Sequence, residues 1–336
     1  MNMKDNMLFV IGSPRSGSTL LQRMLSSHPE IFSCPEPHLL TPLAHLGYYA
    51  TVDKAPYDHL RAVDAIRGFV TELPNQEQDY IAACRAYTDT LYSRRLEGSG
   101  KRIFLDKTPA YALVLPFIAR LYPQARYVVL TRHPIAILAS YARSFFENDY
   151  EAAHDFNPIL ERYVPAMARF LRERPVPLVH VRYKDLVTNP EDEMRRVFEF
   201  IGVPFEASAI EYGQHKHDDQ GLGDPTGVKQ HARPVTSSID KWAGELAADP
   251  KKEALVRAII DGLDPDDIAI WGYDKATLFE PLEKGDFADR KPAQRPRLSK
   301  HQLERWLLLK LRKNIHHNRF GRLVAQVRFA CDVLLR

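Results

Sequence analysis

Residues 9–21 combine small, hydroxyl-bearing and basic side chains at a spacing that suits the binding of an anion. They read FVIGSPRSGSTLL, an apolar run followed by a turn that opens a helix. Gly12 and Gly17 allow backbone N–H groups to converge, and the first amides of the helix add the positive end of its dipole. Arg15 places a cation within the turn. The segment therefore predicts a phosphate-binding loop, although a tight strand-to-helix turn without a ligand has the same outline.

The loop differs from that of nucleotide triphosphatases at one decisive position. The spacing from Gly12 to Gly17 fits G-x-x-x-x-G-K-[ST], but Ser18 stands where the lysine belongs. That lysine neutralises the β- and γ-phosphates, while the adjacent hydroxyl holds Mg²⁺. Here the positive charge comes earlier, at Arg15. The loop therefore suits a terminal group of lower charge that is handled without magnesium.

A second segment, residues 126–134, has the composition of a buried strand that ends in a cation. It reads RYVVLTRHP, and Pro134 is suited to the first turn of the helix that follows. Arg132 and, eight positions later, Ser140 are thus expected beside a helix start. The alternative interpretation is that Arg132 is a surface ion-pair residue.

These two segments resemble the sulfotransferases that use 3′-phosphoadenosine 5′-phosphosulfate (PAPS), especially the branch containing tyrosylprotein and many bacterial sulfotransferases. P-R-S-G-[ST]-T resembles their 5′-phosphosulfate loop. Arg132 followed by Ser140 resembles their 3′-phosphate motif, R-[DN]-P…S, with His133 as a departure. The resemblance spans roughly residues 7–242 and implies PAPS as co-substrate and adenosine 3′,5′-bisphosphate as product. It implies these donor-binding residues: Arg15, Ser16, Gly17, Ser18, Thr19, Arg132, Ser140, Tyr183 and Lys229.

Tyr183 and Lys229 lie in two further segments of the chain. Tyr183 lies in RYKDLVTNPE, which resembles the family segment R-Y-E-D-L…N-P, and would meet the adenine ring or pack in the core. Lys229 ends a glycine-rich stretch and would reach the 3′-phosphate when the loop closes, or remain solvated.

The candidate catalytic residues are Glu36, Arg15, Lys107 and His38. Glu36 lies in CPEPHLL, where the tyrosylprotein branch carries its glutamate base, and the flanking prolines restrict its backbone. A residue that favours a helix dipole is the alternative for Glu36. His38 is the rival base or a structural histidine. Arg15 would stabilise the leaving phosphate.

Lys107 lies in DKTP, similar to the K-T-x turn of cytosolic sulfotransferases that carry a catalytic histidine at the third position. Here that position is Pro109, which cannot accept a proton, so the base role returns to Glu36. Lys107 would neutralise charge near the bridging oxygen, or pair with Asp106 or Glu36.

Apolar runs alternate with helical patterns along the chain, which predicts an α/β fold in three layers, with helices on both faces of a central parallel sheet. Ligands then bind at the carboxyl edge of the sheet. Together with the resemblance, this predicts the P-loop-like sulfotransferase fold with a C-terminal helical appendage. Strands are expected at about 7–12, 101–107, 126–132 and 177–183, and helices at about 18–27, 58–72, 76–96, 110–121, 134–141 and 189–200.

The expected organisation is a sulfotransferase domain over 1–280, a charged, proline-containing linker over 281–298, and a basic amphipathic helical tail over 299–336. Leu303, Leu307 and Leu311 recur every fourth residue, with lysines and arginines between them. This tail would dock on the enzyme, form a homodimer, or contact a partner or an anionic membrane surface.

The composition of the chain bears on nucleic-acid binding, on disulfide and metal sites, and on location. Lys and Arg number 46 against 43 Asp and Glu, a net charge of +3, which does not favour a nucleic-acid partner. The three cysteines form no C-x-x-C pair, so neither a disulfide framework nor a zinc site is expected. The intervening lysine argues against a metal site in His215-Lys216-His217-Asp218-Asp219. The absence of a signal sequence and of about 20 continuous apolar residues favours a cytoplasmic protein.

The sequence therefore predicts a metal-free, in-line transfer of a sulfuryl group from PAPS to a hydroxyl or amine of a small-molecule, lipid-like or carrier-bound acceptor. CPEPHLL is similar to a bacterial group that includes sulfotransferase domains of polyketide assembly lines. A P-loop-type kinase using ATP and magnesium, and a non-catalytic nucleotide-binding or tethering protein, are the alternatives.

Overall fold

The computed structural model describes residue 3, residues 5–49, 59–215 and 231–285, and residues 323, 326 and 327. Within these ranges the centre of the molecule is a five-stranded sheet in the order β2-β3-β1-β4-β5. Its neighbouring strands are parallel throughout. The strands are β1 (Met7–Gly12), β2 (Ile31–Ser33), β3 (Ile103–Asp106), β4 (Arg126–Thr131) and β5 (Leu178–Arg182).

The strand sequences fit a sheet that is covered on both faces. Every residue of β1 is buried, as expected for a continuous apolar run in a parallel sheet. Phe9 and Ile11 belong to one core, while Leu8 and Val10 belong to the other, because successive side chains point to opposite faces. The three-layer α/β arrangement predicted from the sequence is confirmed.

Helices cover both faces of this sheet. The first core is completed by α2, α4 to α8 and α11 to α13, and the second by α1, α9 and α10. Their bounds are α1 (Ser18–Ser26), α2 (Leu40–Ala44), α3 (His59–Thr71), α4 (Glu77–Glu97), α5 (Leu115–Leu121), α6 (Pro134–Phe145), α7 (Tyr150–Phe156), α8 (Ile159–Glu173), α9 (Tyr183–Thr188), α10 (Pro190–Ile201), α11 (Lys241–Ala247), α12 (Pro250–Asp261), α13 (Pro265–Ile270) and α14 (Glu280–Glu283).

The strand order determines where a ligand can enter. β1 pairs with both β3 and β4, and the chain continues from β1 toward one edge of the sheet and from β4 toward the other. Such a reversal opens a crevice at the carboxyl ends of the two strands. The segments that follow β1 and β4 therefore face each other across it.

Several predicted elements differ from the structure. The helix predicted over 110–121 is a 3₁₀ turn (Pro109–Leu113) followed by α5, because Pro116 has no N–H to donate to the preceding turn. Tyr183 begins α9 instead of ending a strand. Strand β2 and helices α7 and α8 were not predicted.

Most of the predicted tail and linker lies outside the described residues. Among the helices that the structure describes, none combines the length and apolarity needed to cross a membrane.

Candidate functional site

The loop between β1 and α1 depends on both of its glycines. Arg15 and Gly17 have positive φ values of 67° and 96°. A Cβ atom on Gly17 would lie 2.4 Å from a ring carbon of Tyr183, and one on Gly12 would lie 2.6 Å from Ser16 Oγ. Larger residues at either position would therefore displace the loop.

The loop presents unused hydrogen-bonding groups at the start of α1. No side chain caps this nine-residue helix, and its first turn contains no acidic residue. The Oγ atoms of Ser13 and Ser16 are buried and have no hydrogen-bond partner in the described part of the chain. Buried polar atoms are normally paired, so these groups are suited to an anion at the helix start.

The two segments singled out in the sequence come into contact at the carboxyl edge of the sheet. Arg15 Nε donates to Ser140 Oγ on α6 at 3.2 Å. The Nη1 group of Arg132 donates to the carbonyl of Arg15 at 3.1 Å. We call residues 13–19 together with Arg132 and Ser140 the loop side of the site.

Arg132 is partly buried and is bonded to backbone groups, not to the surface carboxylate considered from the sequence. Its Nη2 donates to the Ser238 carbonyl at 2.9 Å, and Trp271 Nε1 donates to the Arg132 carbonyl at 2.8 Å. The guanidinium carbon lies 4.3 Å from the centre of the Tyr183 ring. Burial lowers the pKa of Arg132. Its Nε is buried and has no hydrogen-bond partner among the described residues.

Glu36 and Lys107 form an ion pair next to the loop. Lys107 Nζ lies 2.5 Å from Glu36 Oε1 and 3.5 Å from Thr19 Oγ1 on α1. His38 Nε2 lies 3.4 Å from the other oxygen, Glu36 Oε2. The Lys107 side chain is 1% exposed, Glu36 13% and His38 39%. We call Glu36, His38 and Lys107 the carboxylate side; Thr19 connects it to the loop side.

Asp106, which the sequence offered as a partner for Lys107, has different partners. Its buried carboxylate accepts hydrogen bonds from Tyr92 Oη at 2.6 Å, Tyr111 Oη at 3.0 Å and Thr108 Oγ1 at 3.2 Å. Burial raises the pKa of Asp106 to about 6, against the lowering effect of these donors. Tyr92 and Tyr111 were not identified from the sequence, because no local spacing brings them to the end of β3.

Tyr183 packs against the loop side. Its ring covers Gly17 and Arg132, and its hydroxyl lies 2.8 Å from Ser238 Oγ. Lys229, the other residue with a predicted late role, lies outside the described residues, as do residues 216–219 of the histidine-rich segment.

A cavity of about 350 Å³ opens beside Arg132 and Tyr183, with Lys184, Asp240 and Tyr273 also in its lining. His133 contributes to its wall and stacks on Trp242 at 4.9 Å between ring centres. Burial lowers the pKa of His133 to about 3, so its ring is neutral near pH 7. No motif in the sequence predicted this cavity.

Together these groups offer two kinds of chemistry. The loop side supplies hydrogen-bond donors and cations for an anionic group. The carboxylate side supplies a carboxylate that can accept a proton, with a cation beside it. In the described ranges, no cluster of three or more His, Cys, Asp or Glu side chains is arranged to hold a metal ion.

Several known proteins are similar to this chain in sequence. The profile of a family described as the sulfotransferase family matches residues 8–207. Nodulation protein NoeE of Sinorhizobium fredii (strain NBRC 101917 / NGR234) is 27% identical over 293 residues, 80% of this chain and 66% of that protein. Protein-tyrosine sulfotransferase 2 of Gallus gallus is 24% identical over 260 residues, 72% of this chain and 64% of that protein. The chain thus spans slightly less than two thirds of the length of these relatives.

A solved structure has the same fold. The sulfotransferase domain from the Synechococcus PCC 7002 olefin synthase is 24% identical, with a TM-score of 0.50 over 80% of this chain and 94% of that domain.

Proposed function

Because the chain belongs to the sulfotransferase family, whose profile covers residues 8–207, we propose that it transfers a sulfuryl group from PAPS to a hydroxyl or amine. The acceptor class is a small-molecule, lipid-like or carrier-bound compound. The observation that carries this proposal is the contact between Arg15 and Ser140, since it brings the two nucleotide-binding motifs together at one edge of the sheet.

The groups left unpaired on the loop side fit a donor with two anionic ends. The first amides of α1 and the buried Oγ atoms of Ser13 and Ser16 would hold the 5′-phosphosulfate. Ser140 and the unpaired Nε of Arg132 would hold the 3′-phosphate. Tyr183 would contact the adenine, and Lys229 would add a cation. When bound, PAPS supplies the activated sulfuryl group and a phosphate leaving group.

The carboxylate side acts on the acceptor. Glu36 takes the proton of the attacking group, and a bond from the acceptor oxygen or nitrogen to sulfur replaces the bond from sulfur to the bridging oxygen. Lys107 keeps Glu36 oriented and, with Arg15 and the loop amides, stabilises the charge on the departing phosphate. Glu36 is favoured over His38 as the base because it is more buried and because its partner Lys107 contacts Thr19, which places the carboxylate next to the loop side. His38 then orients the second carboxylate oxygen.

The kinase alternative has no comparable support. Ser18 occupies the position of the phosphate-binding lysine. The nearby Lys107 is already paired with Glu36.

Three further expectations stay predictions. They are the cytoplasmic location, the division of the chain after residues 280 and 298, and docking, homodimer or membrane contact through residues 299–336.

Calorimetric titration tests the donor assignment. Adenosine 3′,5′-bisphosphate is expected to bind without magnesium, and at least about 100-fold more tightly than ATP with Mg²⁺, because only the former has a 3′-phosphate to pair with Arg132 and Ser140. Incubation with ³⁵S-labelled PAPS and the small-molecule fraction of a cell extract is then expected to yield a labelled product.

The matched control for the second step is Glu36→Gln, which should bind the bisphosphate and form labelled product about 10²- to 10⁴-fold more slowly. Tighter binding of ATP with Mg²⁺ would support a kinase. A labelled product formed equally by Glu36→Gln would remove Glu36 from the reaction.

A further inference from the structure

The hydroxyl of Tyr111 lies between the two segments that carry Glu36 and Lys107. Tyr111 belongs to the 3₁₀ turn Pro109–Leu113 and is completely buried. Its Oη donates to Asp106 Oδ2 at 3.0 Å and accepts a hydrogen bond from the backbone N–H of Leu40 at 3.2 Å. One hydroxyl is therefore bonded to both segments at once.

Each of these hydrogen bonds involves a residue that is close in sequence to the carboxylate side. Asp106 is the last residue of β3 and immediately precedes Lys107. Leu40 is the first residue of α2, four positions after Glu36. Its N–H is one of the amides that a helix leaves unpaired at its start, and in the described structure the side chain of the N-cap residue, Leu39, makes no capping hydrogen bond. Without Tyr111 Oη this buried amide would lose its acceptor, which is costly for a buried group.

The backbone between Glu36 and Leu40 needs such support. His38 has a φ of 52°, a left-handed conformation that is unfavourable for a residue with a side chain. A strained backbone persists only where its surroundings hold it in place. The contact of Glu36 with Lys107 holds one end of the segment, and the Leu40 N–H bond to Tyr111 holds the other.

We propose that Tyr111 is a positioning residue for sulfuryl transfer: its hydroxyl links the segment of residues 36–40 to the end of β3 and thereby keeps the Glu36 carboxylate in contact with Lys107. Tyr111 acts through these residues and does not touch the acceptor. The inference rests on the proposed function, in which Glu36 is the base.

Tyr92 provides a matched control. Its hydroxyl donates to the same atom, Asp106 Oδ2, at 2.6 Å, and it is equally buried. In contrast to Tyr111, it makes no hydrogen bond to Leu40 among those the structure describes. Tyr92→Phe and Tyr111→Phe each remove one donor from the same carboxylate, but only Tyr111→Phe releases the segment of residues 36–40.

The experiment compares the two variants in turnover and in hydrogen exchange. With ³⁵S-labelled PAPS varied against a constant acceptor fraction, Tyr111→Phe should lower the apparent kcat by about 10- to 100-fold, because a small displacement of a catalytic group has effects of that size. The apparent KM for PAPS should stay unchanged. Tyr92→Phe should lower kcat by no more than about 3-fold.

Amide hydrogen exchange followed by mass spectrometry needs no turnover. The peptide covering residues 36–44 should exchange at least about 10-fold faster in Tyr111→Phe and at the wild-type rate in Tyr92→Phe. In the wild type, the Leu40 amide should exchange slowly, a measurement that does not depend on the folding of any variant.

Equal losses of kcat in the two variants, unchanged exchange in Tyr111→Phe, or a rapidly exchanging Leu40 amide in the wild type would each overturn the positioning role. Failure of the proposed function is distinguishable, since the wild type would then form no labelled product whatever the exchange rates are.

Discussion

The loop side and the carboxylate side of the site are held in place by different kinds of interaction. The loop side is one contiguous turn whose shape depends on backbone conformation, above all on the positive φ of Gly17. The carboxylate side is an ion pair between residues 71 positions apart, Glu36 and Lys107. Beneath that pair, the carboxylate of Asp106 is bonded to hydroxyls from α4 and a 3₁₀ turn.

This difference predicts which kind of substitution should impair each side of the site. The loop side depends on backbone conformation and is sensitive to added side-chain volume, whereas the carboxylate side depends on side-chain contacts and is sensitive to the loss of a single polar atom. Substitutions on the loop side should therefore impair donor binding, and those on the carboxylate side should impair turnover.

The largest effect is expected for Gly17→Ala. The new Cβ atom would meet the Tyr183 ring at 2.4 Å, and the residue would keep an unfavourable φ. We expect no detectable binding of adenosine 3′,5′-bisphosphate by calorimetry, and a loss of about 1–3 kcal/mol in the free energy of unfolding.

The control for this change is Gly68→Ala, where a Cβ atom meets nothing within 4 Å. It lies inside α3 and should keep bisphosphate binding while gaining up to about 1 kcal/mol in stability. Normal binding by Gly17→Ala would show that the shape of the loop does not depend on this glycine.

Glu36→Gln should impair turnover while leaving donor binding intact. The amide keeps the volume but cannot accept the proton, so the rate of labelled product formation should fall about 10²- to 10⁴-fold. The dissociation constant of adenosine 3′,5′-bisphosphate should change by less than about 3-fold, because the loop side is intact. The control is Glu30→Gln, which alters a partly exposed pair with Arg102 and should leave both quantities unchanged. A rate near that of the wild type would transfer the base role to His38.

The pH dependence of the stability of Asp106→Asn tests whether the buried carboxylate of Asp106 has a raised pKa. Burial raises the pKa of Asp106 from 3.8 to about 6, so between these values the folded protein holds a proton that the unfolded chain releases. Its contribution to stability is therefore fully present below pH 4 and is lost as pH rises to about 6. Measured by denaturation, the stability of Asp106→Asn relative to the wild type should increase by about 3 kcal/mol between pH 4 and pH 7.

Asp79→Asn serves as a comparison of opposite sign. Hydrogen bonds from Asn75 lower the pKa of Asp79, so its contribution is present at neutral pH and is lost on acidification. Parallel pH curves for the wild type and Asp106→Asn would contradict the assignment of Asp106 as a perturbed acid.

The smallest effect is expected for Ser140→Ala, which removes the acceptor of Arg15 Nε. The dissociation constant of adenosine 3′,5′-bisphosphate should rise about 10-fold, equivalent to about 1.4 kcal/mol, as for one hydrogen bond to a charged group. The apparent kcat should stay within about 2-fold of the wild type. Ser144→Ala, one turn further along α6, is the control; equal effects of the two changes would mean that the Arg15 contact is unimportant.

The loop side was largely predictable from the sequence, because its chemistry is contained in short segments at the ends of β1 and β4. The three-layer fold followed from the alternation of apolar runs and helical patterns. Helix α8 was missed although its apolar residues recur at helical spacing, for example Ile159, Tyr163 and Met167. Pro165 lies inside this helix, and a proline in a helix interior normally argues against a continuous helix.

The support of the carboxylate side could not be predicted in the same way. Tyr92 and Tyr111 are ordinary members of their helical segments, and their link to Asp106 exists only once α4 and the 3₁₀ turn have packed against β3. The sequence offered Asp106 and Glu36 equally as partners for Lys107. In the structure Tyr92 and Tyr111 donate to Asp106, whereas Glu36 pairs with Lys107.

The hydrogen bond from Trp271 to the carbonyl of Arg132 determines how short a fragment of this chain can be and still function. The family profile ends at residue 207, and a protein truncated there would lack both Trp271 and Ser238, whose carbonyl accepts from the Arg132 guanidinium. Arg132 would then lose two of the groups that hold it against the crevice at the carboxyl edge of the sheet. The smallest autonomous unit should therefore extend at least through Trp271, well beyond the end of the family profile.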